Sequence, residues 1–161
     1  MIDHAYIGFG SNLGDRRANF RMATELLRQK ATVLRVAPVI ESLPVDKVEG
    51  GNFLNTVFEC ERTTSAHDFM LMLQGIERAV GGQVNKLGGA RTCDLDVLLW
   101  GNERIDLPDL RVPHPRMHLR DFYLIPLCAL IPGERHPAIG KTFAELLAES
   151  KLHSVIGTET D

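Results

Sequence analysis

A chain of 161 residues, 44% hydrophobic and 24% charged, has globular composition and enough length to bury a core without disulfide or metal staples. Its 18 Lys and Arg against 21 Asp and Glu leave a formal charge of -3, which excludes a general nucleic-acid coat but not a small anion held in a local basic pocket. Three widely spaced cysteines (Cys60, Cys93, Cys128), no charged-then-apolar leader and no apolar run of ~20 residues predict a reduced, soluble, cytoplasmic protein rather than a zinc ribbon, a secreted disulfide scaffold or a membrane span.

In chain order, residues 5–10 predict a first strand. Asp15 caps the helix that follows, with Phe20, Ala23 and Leu27 on one face. Residues 32–40 and 53–61 read as strands on either side of a polar loop, 44–52, that contains Gly50-Gly51. Ser65 opens a second helix with Asp68 in the capping-box position, and Phe69, Leu73, Ile76 and Val80 form its apolar stripe. A loop with Gly81, Gly82, Gly88 and Gly89 leads to an apolar strand over 94–100, closed by Gly101-Asn102. Pro126 argues against a clean helix over 119–131. Thr142 and Glu145 form a capping box for a last helix, and the polar residues 154–161 predict a frayed tail. This order predicts one α+β domain over 1–161: a ferredoxin-like βαββαβ core with an antiparallel sheet, two helices on one of its faces, and extra C-terminal elements. Such a fold hosts many activities, so function has to be argued from the site.

Three motifs mislead. Gly8-Phe9-Gly10-Ser11-Asn12-Leu13-Gly14 imitates a dinucleotide fingerprint, but its last glycine comes one residue late and no parallel return follows, so it reads as a tight strand-to-helix turn. Gly140-Lys141-Thr142 lacks the earlier glycine of a phosphate loop, because Arg135 stands there. His114 and His118 have the spacing of a helical metal pair, but Pro113 and Pro115 disfavour a helix around His114.

The segment Arg91-Thr92-Cys93-Asp94-Leu95-Asp96 carries the most chemistry. Alternation along a strand puts Asp94 and Asp96 on one face, about 7 Å apart, and Leu95, Val97 and Leu99 on the other. Neighbouring carboxylates repel; Mg²⁺ removes that conflict and leaves coordination positions for substrate phosphates. Arg91 can reach the same phosphates as a fork-shaped donor. D-x-D alone fits two solvated acids on an edge strand equally well, and it is the apolar, central character of this strand that favours a ligand. The rigid Val112-Pro113-His114-Pro115-Arg116 follows, then Arg120. Arg91, His114, Arg116 and Arg120 together make a polyphosphate site, although each arginine alone also reads as a solvated charge. Phe53 and Asn55 share a strand face, an aromatic plane beside an amide that suits a flat heterocycle; core packing and a capped turn are the alternatives.

Taken in order, the opening residues 5–15, Phe53-Leu54-Asn55, Arg91-x-x-Asp94-x-Asp96, and Val112-Pro113-His114-Pro115-Arg116 with Arg120-x-Phe122 resemble the 6-hydroxymethyl-7,8-dihydropterin pyrophosphokinases of folate synthesis. The resemblance implies transfer of pyrophosphate from ATP to the pterin hydroxymethyl oxygen, with release of AMP, by a monomer whose partners are these two small molecules. It implies that Asp94 and Asp96 hold two Mg²⁺ ions and serve catalysis together with Arg91. It implies that Phe53 and Phe122 sandwich the pterin, that Asn55 bonds its edge, and that Ser42, Leu43 and Val45 complete the pocket. Gln74, Glu77, Arg91, His114, Arg116 and Arg120 would meet the nucleotide. The family usually carries arginines and a large residue in the loop after Gly81; here Lys86 is the one basic residue between Gly82 and Ala90, which implies slower turnover or a differently organised lid. The rivals from other classes are a non-catalytic pterin- or nucleotide-binding relative and an RNA-binding ferredoxin-like module. The acids on strand 94–100 weigh against the RNA module.

Overall fold

Every residue of β1 (Ala5–Ser11) is buried, and the strand accordingly takes the middle of the sheet. The computed structural model describes residues 1–45, 50–81 and 90–159. β1 pairs antiparallel with β4 (Phe53–Cys60) on one side and with β5 (Asp94–Trp100) on the other. The outer edge of β4 takes β2 (Val33–Val36) and then β3 (Ile40–Ser42), both antiparallel. These two short strands replace the single strand expected over 32–40. The break falls at Pro38, which has no N–H to give to a ladder. Counting β2 and β3 as one broken edge, the order β5-β1-β4-β3 is the ferredoxin-like arrangement.

α1 (Arg16–Lys30) and α2 (Ala66–Gly81) cover one face of the sheet, and Leu27, Phe69, Leu73 and Ile76 meet Ile7, Phe9, Phe58 and Val97 there. The Asp15 carboxylate accepts the Ala18 N–H, capping α1 as expected. The other face is covered by the C-terminal elements α3 (Asp121–Leu130) and α4 (Phe143–Glu149), which pack Leu124, Leu127 and Phe143 on Tyr6, Val57 and Leu98. α3 contains Pro126, so the expectation of no clean helix there is corrected. The proline removes one N–H, directed at the Phe122 carbonyl, and the nearly complete burial of Tyr123, Leu124 and Leu127 outweighs that loss. α4 begins with the expected reciprocal Thr142–Glu145 capping box.

Three further departures have local causes. The β1–β5 register shifts between Tyr6 and Ile7, leaving Leu98 unpaired as a bulge, so Leu99 joins Leu98 in the α3–α4 cluster instead of facing away from the two acids. A hairpin of β6 (Ile105–Leu107) and β7 (Leu110–Val112), which has no strong periodic signal, follows β5. The tail expected to fray from 154 forms β8 (Val155–Thr158), which pairs with the outer edge of β3. Its ladder needs backbone groups rather than apolar side chains, which is why the composition concealed it.

Candidate active site

Gly10 lies directly opposite Asn55 of β4 and Asp94 of β5, so three strands converge on a residue without a side chain. A Cβ at Gly10 would stand 3.2 Å from Asn55 Nδ2 and 3.5 Å from Phe53 Cδ1. One repeat earlier, a Cβ at Gly8 would stand 2.7 Å from Tyr123 Cε1. Both glycines therefore lie within β1 and clear room for functional side chains; of the expected turn glycines only Gly14, with φ of +77°, turns the chain.

Asp94 and Asp96 share a face, as strand alternation requires, and both are half-buried. Asp96 Oδ2 accepts a 2.8 Å hydrogen bond from the Tyr123 hydroxyl. The Leu95 N–H donates to Glu77 Oε2 at 2.8 Å, which ties α2 to β5 and sets a third carboxyl against Asp94. Burial first, then Asp96 and Glu77, push the Asp94 carboxyl well above its ordinary range, while Arg91 and Arg120 act the other way. Burial also pushes Glu77 up. Arg91 and Arg120 offset burial and the neighbouring acids only in part, since the Asp94 carboxyl stays raised, and such a cluster is the electrostatic setting of a cation site.

Arg91 is held by its backbone. Its N–H donates to Asn12 Oδ1 at 2.8 Å, and its carbonyl accepts the N–H groups of Asn12 and Leu13 at 2.9 and 3.1 Å. His114 is fixed by its N–H on the Leu98 carbonyl at 2.9 Å. Its Nδ1 accepts the Arg116 N–H at 3.1 Å, which leaves the proton of the neutral ring on Nε2. Burial lowers the His114 pKa, opposed by Asp96.

Two cavities meet at this centre. The larger, about 690 Å³, is lined by Gln74, Glu77, Arg91, Asp94, Asp96 and His114, all expected from the sequence, and by Arg78 and Arg111, which were not. The smaller, about 230 Å³, is lined by all six residues expected around the pterin: Ser42, Leu43, Val45, Phe53, Asn55 and Phe122. Arg91 and Asp94 line both. Within the smaller cavity the Ser42 hydroxyl donates to Asn55 Oδ1 at 2.7 Å, fixing the amide.

Two expected nucleotide residues sit elsewhere. Arg120 lines the smaller cavity, its Cζ 5.7 Å from the Phe122 ring centre and 5.8 Å from that of Tyr123. Arg116 is exposed and lines neither cavity. Lys86 lies outside the described residues. Sequence reasoning missed Tyr123, Asn12 and Arg78. Arg78 was within reach, since it follows Gln74 by one helical turn on the same face of α2.

An α+β fold with two adjoining cavities joined at an arginine and an acid is the framework of a two-substrate enzyme. The chain belongs to the 7,8-dihydro-6-hydroxymethylpterin-pyrophosphokinase (HPPK) family, whose sequence model matches residues 6–132. It is 40% identical over 132 residues to the 2-amino-4-hydroxy-6-hydroxymethyldihydropteridine pyrophosphokinase of Bacillus subtilis, covering 81% of this chain and 79% of that protein. It is 35% identical over 157 residues to the Pseudomonas aeruginosa protein of the same name, covering 96% of each. A crystal structure of wild-type Plasmodium falciparum HPPK-DHPS with pteroate matches 92% of this chain with a TM-score of 0.73 at 13% identity, a likeness of fold; this chain spans 42% of that longer one.

Proposed function

We infer that this chain is an ATP-dependent pyrophosphokinase that transfers the pyrophosphoryl group of ATP to the hydroxymethyl oxygen of 6-hydroxymethyl-7,8-dihydropterin, giving AMP and the pterin diphosphate. Membership of the pyrophosphokinase family supports the reaction. The observation that carries the assignment to a site is the meeting of the two cavities at Arg91 and Asp94.

The smaller cavity takes the pterin. Its volume lies below the ~300–1,000 Å³ of drug-sized sites and suits a small flat ring. Phe53 and Phe122 take the two faces of that ring, and Asn55, held by Ser42, takes its edge, with Leu43 and Val45 beside it. The larger cavity takes ATP. Gln74, Glu77 and Arg78 line it from α2, Arg91 offers its fork to the phosphates, and His114 offers Nε2–H. Arg120, beside the pterin, serves the transferred group rather than the adenosine, and Arg116 can meet only an outlying part of the nucleotide. The hydroxymethyl oxygen attacks the β-phosphorus, the bond from that phosphorus to the α,β-bridging oxygen breaks, AMP leaves with the bridging oxygen, and the hydroxyl proton passes to solvent. Such a displacement needs in-line positioning and charge neutralisation more than covalent help from the protein.

The acids fit Mg²⁺. Asp94 and Asp96 offer hard oxygen donors where burial and mutual repulsion call for positive charge. Among the described residues no group of three or more His, Cys, Asp or Glu side chains is gathered around a metal position. Mg²⁺ commonly binds through one or two carboxylates and completes its shell with phosphate oxygens and water. We assign two such ions to this pair; when bound, they neutralise the phosphates and stabilise the attacking and leaving oxygens.

One chain lines both cavities, so the site needs no second copy, and we read the protein as a monomeric unit over 1–161. Three free cysteines fit a reducing, cytoplasmic setting, and no described helix is long and apolar enough to cross a membrane. No observation favours the non-catalytic alternative. The test is chromatographic detection of AMP and pterin diphosphate from ATP, Mg²⁺ and hydroxymethyldihydropterin. Formation of both in equal amounts is expected; their absence with the folded protein overturns the reading.

A further inference from the structure

The C-terminal segment reaches the smaller cavity through one buried knot. Asp121 sits in the first turn of α3, between Arg120 and Phe122, and is 3% exposed. Its Oδ2 accepts the N–H groups of Ser154 at 2.7 Å and Val155 at 3.0 Å, and its Oδ1 accepts the Ser154 hydroxyl at 2.5 Å. Ser154 is equally buried, and its carbonyl accepts the Leu43 N–H at 2.8 Å. Leu43 lies on one wall of the smaller cavity, while Arg120 and Phe122 lie on another. A continuous path of hydrogen bonds therefore joins the two walls: Phe122 and Arg120 to Asp121 through the chain, Asp121 to Ser154, and Ser154 to Leu43.

We propose that Asp121 and Ser154 are positioning residues that set the spacing between the Leu43 wall and the Phe122 wall, and with it the affinity for the flat pterin. The proposal rests on the reading of the smaller cavity as the pterin site. The carboxylate accepts three hydrogen bonds from residues 154 and 155 and lines neither cavity, so its role is to hold these segments in register. Beyond the knot, β8 continues along β3, with Val155 opposite Ser42, and the Glu159 N–H bonds the Val39 carbonyl at 2.8 Å. Ser42 and Leu43 are thus held by residues 154–159, none of which lines the smaller cavity. A flat ring against an aromatic wall is sensitive to such spacing, because a gap of about 0.5–1 Å already forfeits a quarter to a half of each dispersion contact. The larger cavity is lined by neither Leu43 nor Arg120 nor Phe122, so loosening the knot should spare the nucleotide.

Two full-length variants test this, Ser154→Ala and Asp121→Asn. Binding of 6-hydroxymethylpterin is read from its fluorescence, and binding of a non-hydrolysable ATP analogue with Mg²⁺ by calorimetry. The pterin Kd is expected to rise about fivefold or more in Asp121→Asn and about threefold in Ser154→Ala, with the ATP-analogue Kd unchanged within about twofold. Should Asp121→Asn fail to fold, Ser154→Ala, which removes a single hydroxyl, carries the test alone. An unchanged pterin Kd, or equal weakening of both ligands, overturns the positioning role and leaves the pterin assignment standing. Failure of the unaltered protein to bind 6-hydroxymethylpterin overturns the assignment of the cavity and the positioning role with it.

Discussion

The Tyr123 hydroxyl donates to Asp96 Oδ2 at 2.8 Å, across a gap that exists because Gly8 of β1 has no side chain beneath the Tyr123 ring. The bond ties α3 to β5 and fixes the rotamer of one of the two acids. The same ring stands edge-on to His114, with centroids 5.6 Å apart, so one buried tyrosine braces an acid and an imidazole of the same site.

Replacing Tyr123 by Phe keeps the ring and removes the donor. Loss of one such bond is worth roughly 1–1.5 kcal/mol, so kcat should fall about tenfold. The pterin KM should stay within about twofold, because the aromatic wall persists. Steady-state kinetics with each substrate varied separates the two constants. An unchanged kcat would remove Tyr123 from the positioning of Asp96.

Asp94 is pushed up by burial and by neighbouring acids, so in the metal-free protein its charge opposes folding. Asp94→Asn should therefore raise the melting temperature of the metal-free protein by a few degrees. The same change should cut pyrophosphoryl transfer by about a hundredfold or more while leaving pterin binding measurable. Calorimetry in EDTA and the product assay read the two effects on one preparation. Full activity in the variant would refute the metal role.

The Arg78 side chain makes no hydrogen bond or ion pair among the described residues, yet it lines the larger cavity one turn after Gln74. Arg78→Met should raise the ATP KM by about fivefold and leave the pterin KM unchanged, since Met keeps the stem and loses the charge. Equal effects on both substrates would argue against a nucleotide contact.

His136 lies away from both cavities, buried, with Nδ1 accepting the Ala138 and Ile139 N–H groups at 3.1 Å each. Its pKa is lowered to about 4, chiefly by burial and then by His118 and Arg104. The folded state thus binds the proton less tightly than the unfolded chain. The stability His136 contributes is complete above its ordinary value of 6.5 and is lost as pH falls toward about 4. Urea unfolding at pH 7, 5.5 and 4 should show that decline, bounded by about 3 kcal/mol, and His136→Gln should flatten it. A variant with the same pH dependence as the parent would exclude His136 as its source.

The shared lining of the smaller cavity by Phe53 and Asn55 was legible because they sit on one strand, where alternation alone sets the side-chain direction. Asp94 and Asp96 were legible for the same reason, and Leu99 was not, because a bulge at Leu98 follows the acids and shifts the alternation. Tyr123 was hidden behind Pro126, whose local preference is overridden by burial on both sides of it in α3. The Ser154 knot was hidden because its bonds use backbone groups, one hydroxyl in a polar tail and one carboxylate that reads as an ordinary helix-start acid. Arg120 was expected with the nucleotide residues and instead lines the smaller cavity, since its distance from Phe122 depends on how α3 begins.

A crystal structure would show most directly whether Asp94 and Asp96 grip Mg²⁺-loaded triphosphate beside a pterin held by Phe53 and Phe122. Crystals would be grown with 6-hydroxymethylpterin, a non-hydrolysable ATP analogue and Mg²⁺. Metal density bonded to both aspartates, phosphate oxygens completing the shell in the larger cavity, and the pterin between the two phenylalanines are expected. Aspartates turned to bulk water, with the ions and the ring bound elsewhere, would contradict this arrangement.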